Sequence, residues 1–484
     1  MKVLVLNPPY YKKYSRSQRS PAVTKSGTLY YPIWLSYATG VLERDGFEVK
    51  LIDAPAKDLS LHDIVKLARG FSPQMIVCDS STPSIENDLS VVNTLKEVLP
   101  ESFTVLVGTH ASALPAECLE SAGGLDGVVR REYDYTLSEL GRAVESDGEL
   151  ESVLGLSFKK DGQLIHNPDR PLINELDQIP FVSSVYKKHL NIRDYFNPNA
   201  LYPNITIISG RGCVCRCSFC LLPQTLHGRR YRSRSVDNVV TEFEYIKEEF
   251  KDCKAVFIED DTFTINRKRV REIAEQLITR RIGLSWTANA RADLDFETMR
   301  IMKEAGCRSL CVGFESGDQE ILDSVGKGIT ISQMKEFMRD SKKAGLLIHG
   351  CFIVGMPGET SKTAQKTLEL AKELTPDTAQ FYPLMVYPGT EAFEWAVSNG
   401  FIIAKRYSEW LTSEGLHSCV ISTKELSSKE IVDFCDRARR SFYLRPGYLA
   451  YKLFQILTSP QDFKRTVRAL LKFRRYIFRN SYHG

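Results

Sequence analysis

Residues 211–220 read RGCVCRCSFC, with cysteines at 213, 215, 217 and 220. Thiols crowded in this way in a chain without a disulfide-rich composition point to metal binding or catalysis. Zinc suits the run poorly. Cys217-x-x-Cys220 is a zinc-type pair, but a structural zinc site needs four ligands, and no second C-x-x-C or H-x₃-H pair follows downstream. Using all four local thiols would force Cys213 and Cys215 to ligate from positions only two apart. The spacing of Cys213, Cys217 and Cys220 is C-x-x-x-C-x-x-C. Three thiolates on one tight loop can hold three irons of a [4Fe–4S] cluster and leave the fourth open to another ligand. Phe219 would help keep water away, and Cys215 becomes a spare thiol beside the cluster.

The surrounding pattern says what positions this loop. Apolar runs at 204–212, 255–261, 284–293, 309–317, 346–358 and 378–389 read as strands, most followed by a helical period such as Val236–Glu249, Arg267–Arg280 and Phe296–Ala305. Six such units predict a partial (β/α)6 barrel over 203–400, a fold whose chemistry sits at the strand C-terminal ends. The cysteines follow the first strand. Glu259, Asp260 and Asp261 end the second, Asn289 and Arg291 the third, and Glu315 the fourth.

Upstream, runs at 3–9, 47–53, 75–81, 103–110 and 127–132 alternate with helical stretches such as Ile33–Arg44 and Ile85–Val98. They predict an α/β, doubly wound, flavodoxin- or Rossmann-like domain over 1–150, with ligands expected beyond the strand C-termini. The tips there are polar: Asn7-Pro8-Pro9, Ser80-Ser81-Thr82, Gly108-Thr109-His110 and Arg131-Glu132. No G-x-G-x-x-G follows the first strand, so the dinucleotide fingerprint is absent. Residues 151–202 read as a connector with a hairpin signal at Asp161-Gly162. Residues 401–484 read as mainly helical.

The chain has 484 residues and twelve cysteines, 43% hydrophobic and 26% charged residues, and a net charge of +4. The region from Arg437 to Gly484 carries +11, which leaves the body mildly acidic at −7. A helix is expected from Ser459, with Pro460 and Asp462 in its first turn. Lys464, Arg468, Lys472, Arg475 and Arg479 fall on one face of it; Phe463, Val467, Leu470 and Leu471 fall on another. This basic amphipathic tail fits docking on the acidic body or contact with an anionic membrane surface. No apolar stretch is long enough to span a bilayer or to serve as a secretion signal. A cytoplasmic location is expected, with a peripheral place on the inner membrane face as the variant.

At the cysteine run the sequence resembles the radical S-adenosylmethionine enzymes, whose cluster motif has this spacing with an aromatic before the last cysteine. FIEDDTFTINRKRV, ANARADLD, GFESGDQEILDSVGKGIT and GCFIVGMPGET resemble that family's later strand ends. The resemblance implies cluster ligation by Cys213, Cys217 and Cys220, and contact of Asp260 or Asp261 with the methionine amine. It places Glu315 near the ribose, Ile353 to Gly355 near the adenine, and Arg291 among the cofactor-binding residues. The opening LVLNPP, YYPIWLSYATGVLERDGFEVKLIDAP and GTHASALP resemble the cobalamin-binding members, most of all those acting on hopanoids. That implies cobalamin beside Asn7, Pro8, Ser80, Ser81, Gly108, Thr109 and His110. The D-x-H-x-x-G pattern is missing, because ASALP follows His110, which argues against histidine ligation of cobalt.

The implied activity is reductive cleavage of S-adenosylmethionine and methylation of an unactivated carbon or phosphorus of a lipid or specialised metabolite. Ring formation, ring contraction or oxidative cyclisation of a lipid or tetrapyrrole is the alternative; a non-catalytic iron–sulfur module is the alternative of another class. A flavodoxin- or ferredoxin-type reductant is implied, and no nucleic acid is expected. Methylthiolation of RNA or a ribosomal protein would need a second cluster upstream, where only Cys78 and Cys118 occur.

Overall fold

Residues 1–458 are described by a computed structural model; the basic segment expected from Ser459 onward lies outside the described residues. Two parallel sheets organise the chain. The first contains β1 (Lys2–Asn7), β2 (Glu48–Asp53), β3 (Met75–Ser80), β4 (Phe103–Gly108) and β5 (Gly127–Val129), all parallel, in the order β2-β1-β3-β4-β5. That is the flavodoxin-like order, whose topological switch point lies between β1 and β3. The helices Ile33–Arg44 and Ile85–Val98 have the bounds their hydrophobic periods predict.

The connector adds to this sheet. β6 (Leu156–Lys160) and β7 (Gln163–His166) form an antiparallel hairpin that pairs onto β5. Asp161 and Gly162 both have positive φ, 53° and 78°, as a two-residue hairpin turn requires.

The cysteine loop hangs between β8 (Asn204–Ile207), β9 (Gly210–Arg211) and β10 (Arg232–Ser233). The second sheet then runs through β11 (Ala255–Ile258), β12 (Ser285–Ala290), β13 (Cys307–Glu315), β14 (Leu347–Val354) and β15 (Thr378–Pro383). Its six strands, β8 and β11 to β15, pair in chain order and in parallel, leaving β8 and β15 as open edges. The helices on its outside are capped where the loops end: Ser235, Asn266, Asp295, Thr330 and Thr360 each accept a first-turn N–H. The open edge of β15 is covered by the helix Ser428–Tyr443, whose Tyr443 hydroxyl bonds both the N–H and the carbonyl of Ala379.

β1 shows how the two halves join. Leu4 and Leu6 pack into a core on the far side of the first sheet. Val3 and Val5 face the other way, into one apolar cluster that runs on through the helix Ile33–Arg44 to Ile205 and Ile207 of β8. Polar contacts follow the same seam. Tyr31 donates to the Asn204 carbonyl at 2.7 Å, and the Ile208 N–H donates to the Tyr37 hydroxyl at 3.1 Å.

Candidate active site

The cysteine loop is tied at its neck. β9 and β10 pair antiparallel, so residues 212–231 leave and return through one short ladder. Gly212 sits at φ +85°, and a Cβ there would stand 2.2 Å from the Arg230 carbonyl, so only glycine fits. The first domain grips this neck through two buried, two-pronged ion pairs. Asp134 receives Arg211 at 2.7 and 2.9 Å, and Glu132 receives Arg232 at 2.7 Å through both oxygens. Arg211 also lies over Trp34 and Tyr37.

Within the loop Cys213 and Cys217 are buried and Cys220 is half-buried. The Ser218 N–H donates to Val325, the Cys213 N–H to Gly228, and the Gln224 amide to the Ser218 and Cys220 carbonyls. The thiols do not converge on a point: among the described residues no three His, Cys, Asp or Glu side chains stand close enough to share one metal ion. A [4Fe–4S] cluster needs one thiolate for each of three separate irons. Lys327 and Arg291 supply positive charge beside Cys217, opposing the burial that raises its thiol. Cys215 hydrogen-bonds to Cys213 and, with Thr262, pulls the Cys213 thiol down. The donor chemistry and the nearby cations fit a negatively charged iron–thiolate group.

The strand-end acids divide by the strand period. Asp260 points away from the cysteines: its carboxylate takes the Ser209 N–H and hydroxyl, each at 2.6 Å. Asp261 accepts from Gly212 N and His227 Nδ1 at 3.0 and 2.9 Å. Burial pushes its carboxyl up, but His227 and Arg19 hold it below the usual range. Glu259 lies on the same side as Asp261 and pairs with Arg19 at 2.5 Å. Glu315 holds a left-handed backbone, φ +64°, and pairs with buried Lys327 at 2.7 Å. A Cβ on Gly313 would collide with its Oε1. A non-glycine residue held in this conformation marks a place where surrounding structure maintains strain. Arg291 donates to the Lys327 and Gly328 carbonyls, close to the cysteine loop. Ile353 and Gly355 end β14, where the Gly355 N–H donates to Glu359 at 2.5 Å.

Between these ends the sheet has a polar inner face. Asn289, Cys311, His349, Cys351 and Tyr382 keep partial exposure, yet burial raises the thiol of Cys351 to about 12 and lowers the His349 imidazole to about 4. His349 is fixed by Thr378 at 2.8 Å.

In the first domain the predicted tips gather at one edge, around residues the sequence did not single out. Arg16, fully buried, donates to the Asn7 side chain at 2.8 Å, to the Pro8 carbonyl at 2.7 Å and to Asp88 at 2.6 Å. Tyr14 bonds Ser81, which bonds Ser84. Ser80 donates to the Val107 carbonyl at 2.6 Å. Gly108 has φ +107°, and a Cβ there would lie 2.3 Å from the Ser80 carbonyl. Thr109 Oγ1 and His110 Nε2 are buried without hydrogen-bond partners, Glu117 Oε1 standing 3.9 Å from the imidazole. His110 is enclosed by Thr82 at 3.1 Å and by the Tyr407 ring, and burial drops its imidazole to about 3. The narrow glycine cradle and the orphaned Thr109 hydroxyl fit a polar group seated at these strand ends, with His110 held neutral and behind Tyr407. The signal for Arg16 and Arg19 in the sequence was the run YYKKYSRSQRS after the first strand.

The two edges meet. Gly389 packs against Ala113, which follows His110, and against Thr225 in the π-helical turn Pro223–His227 after the cysteines. The end of the first sheet and the turn after the cysteines thus touch through Gly389.

The family comparisons agree with this arrangement. Residues 207–371 match the radical SAM superfamily and residues 19–141 match the B12-binding domain. The chain belongs to the radical S-adenosylmethionine enzymes that carry a cobalamin-binding domain, and its cofactors are a [4Fe–4S] cluster, S-adenosylmethionine and cobalamin. It is 32% identical over 473 residues to an uncharacterized methyltransferase of Pyrococcus horikoshii, covering 98% of both chains. It is 30% identical to the anaerobic magnesium-protoporphyrin IX monomethyl ester cyclase of Rubrivivax gelatinosus, covering 75% of this chain and 66% of that one. In fold it is similar to the radical S-adenosylmethionine methyltransferase TsrM of Kitasatospora setae, with a TM-score of 0.70, 17% identity, and 90% and 88% of the two chains covered.

Proposed function

We propose that the protein is a cobalamin-dependent methyltransferase acting on an unactivated carbon or phosphorus of a small molecule. The observation that supports this is the contact of Gly389 with Ala113, just after His110, and with Thr225, just after the cysteines, which brings the ends of the two sheets together. When bound, the cofactors supply radical hydrogen abstraction and a transferable methyl group. The chain's own part is to hold and to exclude. Cys213, Cys217 and Cys220 ligate the cluster. Glu259 and Asp261 face the methionine end of S-adenosylmethionine; Glu315, fixed by Lys327, faces the ribose; Ile353 and Gly355 border the adenine. Thr109 and the Gly108 cradle face cobalamin.

Asn289, His349, Tyr382 and the Cys311 and Cys351 thiols line the substrate cavity. They are polar and mostly neutral, which suits an uncharged polar substrate portion better than an aliphatic chain. Cyclisation without methyl transfer is the second reading, supported by the similarity to the cyclase. Product analysis separates the two. The reduced, cobalamin-loaded enzyme turning over should release S-adenosylhomocysteine together with 5′-deoxyadenosine; 5′-deoxyadenosine alone would favour cyclisation and overturn the methyltransferase reading.

Two partners belong to the same proposal. A flavodoxin- or ferredoxin-type protein supplies electrons. An anionic membrane surface receives the C-terminal end, where Leu449, Leu453 and Leu457 stand 52%, 59% and 76% exposed at i, i+4 and i+8 of the helix Pro446–Thr458, just before the basic segment. No helix among the described residues is long and apolar enough to cross a membrane.

A further inference from the structure

We propose that Arg19, a residue of the first domain's β1-following loop, binds the carboxylate of S-adenosylmethionine inside the second domain's barrel. The inference rests on the reading that S-adenosylmethionine binds at the cysteine loop, and it adds a recognition residue from the other half of the chain.

Arg19 crosses the seam. It donates to Glu259 Oε1 at 2.5 Å and to the Asp260 carbonyl at 2.7 Å, and stands 3.8 Å from Asp261 Oδ1. Asn289 donates to the same Asp260 carbonyl at 3.1 Å. These contacts use two of the five N–H donors of a guanidinium. Its side chain keeps 30% exposure, while those of Glu259 and Asp261 keep 10% and 2%. Cys220 is close enough for the charges of the two side chains to influence each other.

The acids beside it are incompletely satisfied. Glu259 Oε2 and Asp261 Oδ1 are both buried without a hydrogen-bond partner. An unpaired carboxylate oxygen of this kind is costly unless a donor arrives. An amino-acid head group brings both complements at once. Its amino group can donate to the two orphaned oxygens, and its carboxylate meets the spare guanidinium donors, a planar pairing that arginine favours. An ion pair serving only to neutralise Glu259 would need neither the orphaned oxygens nor the open guanidinium face.

The loop holds Arg19 at both sides. Three residues earlier Arg16 is buried in the first domain against Asp88. The next residue, Ser20, bonds Tyr387 and His417, each at 3.1 Å. The guanidinium is thus presented from a fixed stretch of backbone.

The test uses the anaerobically reconstituted full chain loaded with cobalamin. Binding of S-adenosylmethionine and of its decarboxylated analogue is measured by equilibrium dialysis for the wild type, Arg19→Gln and Arg19→Lys, with iron content and cobalamin uptake as checks on folding. Arg19→Gln should weaken S-adenosylmethionine binding about 10- to 100-fold and leave the analogue's affinity unchanged, so the preference for the carboxylate shrinks. Arg19→Lys should fall between, and it decides the matter if the glutamine variant fails to take up iron. Equal weakening of both ligands, or unchanged binding of both, overturns the inference. A wild type that takes up iron yet binds neither ligand overturns instead the reading of the cysteine loop as an S-adenosylmethionine site.

Discussion

Of the four thiols in eight positions, three are proposed to hold the cluster, with Cys215 a bystander. Cys215 bonds to Cys213. Cys215→Ala should therefore retain near-wild-type iron after reconstitution, while alanine at Cys213, Cys217 or Cys220 should lose the cluster absorbance and iron; equal loss from all four would refute the assignment. A second residue reports on the first domain. Burial pushes the Asp79 carboxyl from 3.8 up to about 7, with Arg16 opposing. Because the folded state holds this proton more tightly, the stability it contributes is full below about pH 4 and is lost as pH rises through 7. Asp79→Asn should match the wild type below about pH 4, pull ahead as pH rises from 4 to 7, and melt higher near pH 8. An unchanged difference in Tm across that range would show that Asp79 ionises freely.

Elements were the most legible level in the sequence. Continuous apolar runs mark strands buried on both faces, and the helices Ile33–Arg44 and Ile85–Val98 were readable because their periods are unbroken. The hairpin at Asp161-Gly162 was readable as a turn, but its pairing onto β5 was not, since a turn signal does not name the neighbouring strand. The cysteine run stood out by its spacing, and its role as a cluster loop is part of the proposed function. The roles of Arg16, Arg19, Glu132 and Asp134 were not: their partners lie up to about 240 positions away, and a basic run such as YYKKYSRSQRS marks charge without naming the groups it will meet. Gly108 offers a prediction at this scale. Gly108→Ala forces a Cβ against the Ser80 carbonyl and places a non-glycine residue at φ +107°. Cobalamin uptake should drop sharply while iron content stays near wild type, as paired corrinoid and iron assays would show; joint loss would mean the change has spread to the barrel.

For the whole molecule, the exposed leucine stripe near the end of the described chain makes a claim about location. Leu449, Leu453 and Leu457 all changed to serine should reduce sedimentation with vesicles containing anionic phospholipid by several-fold, with cofactor content unchanged. Vesicles of neutral lipid should retain little of either protein, and equal sedimentation of both proteins with anionic vesicles would place the contact elsewhere.

The continuous core from Val3 and Val5 to Ile205 and Ile207 has a consequence for how this protein can be taken apart. A chain opened near residue 203 would not yield two free-standing modules. Each half would present to water the apolar face that the other now covers. Arg211 and Arg232 would lose Asp134 and Glu132, leaving two unpaired guanidinium groups at the neck of the cysteine loop. The halves can be exchanged between relatives only together with the surface that joins them.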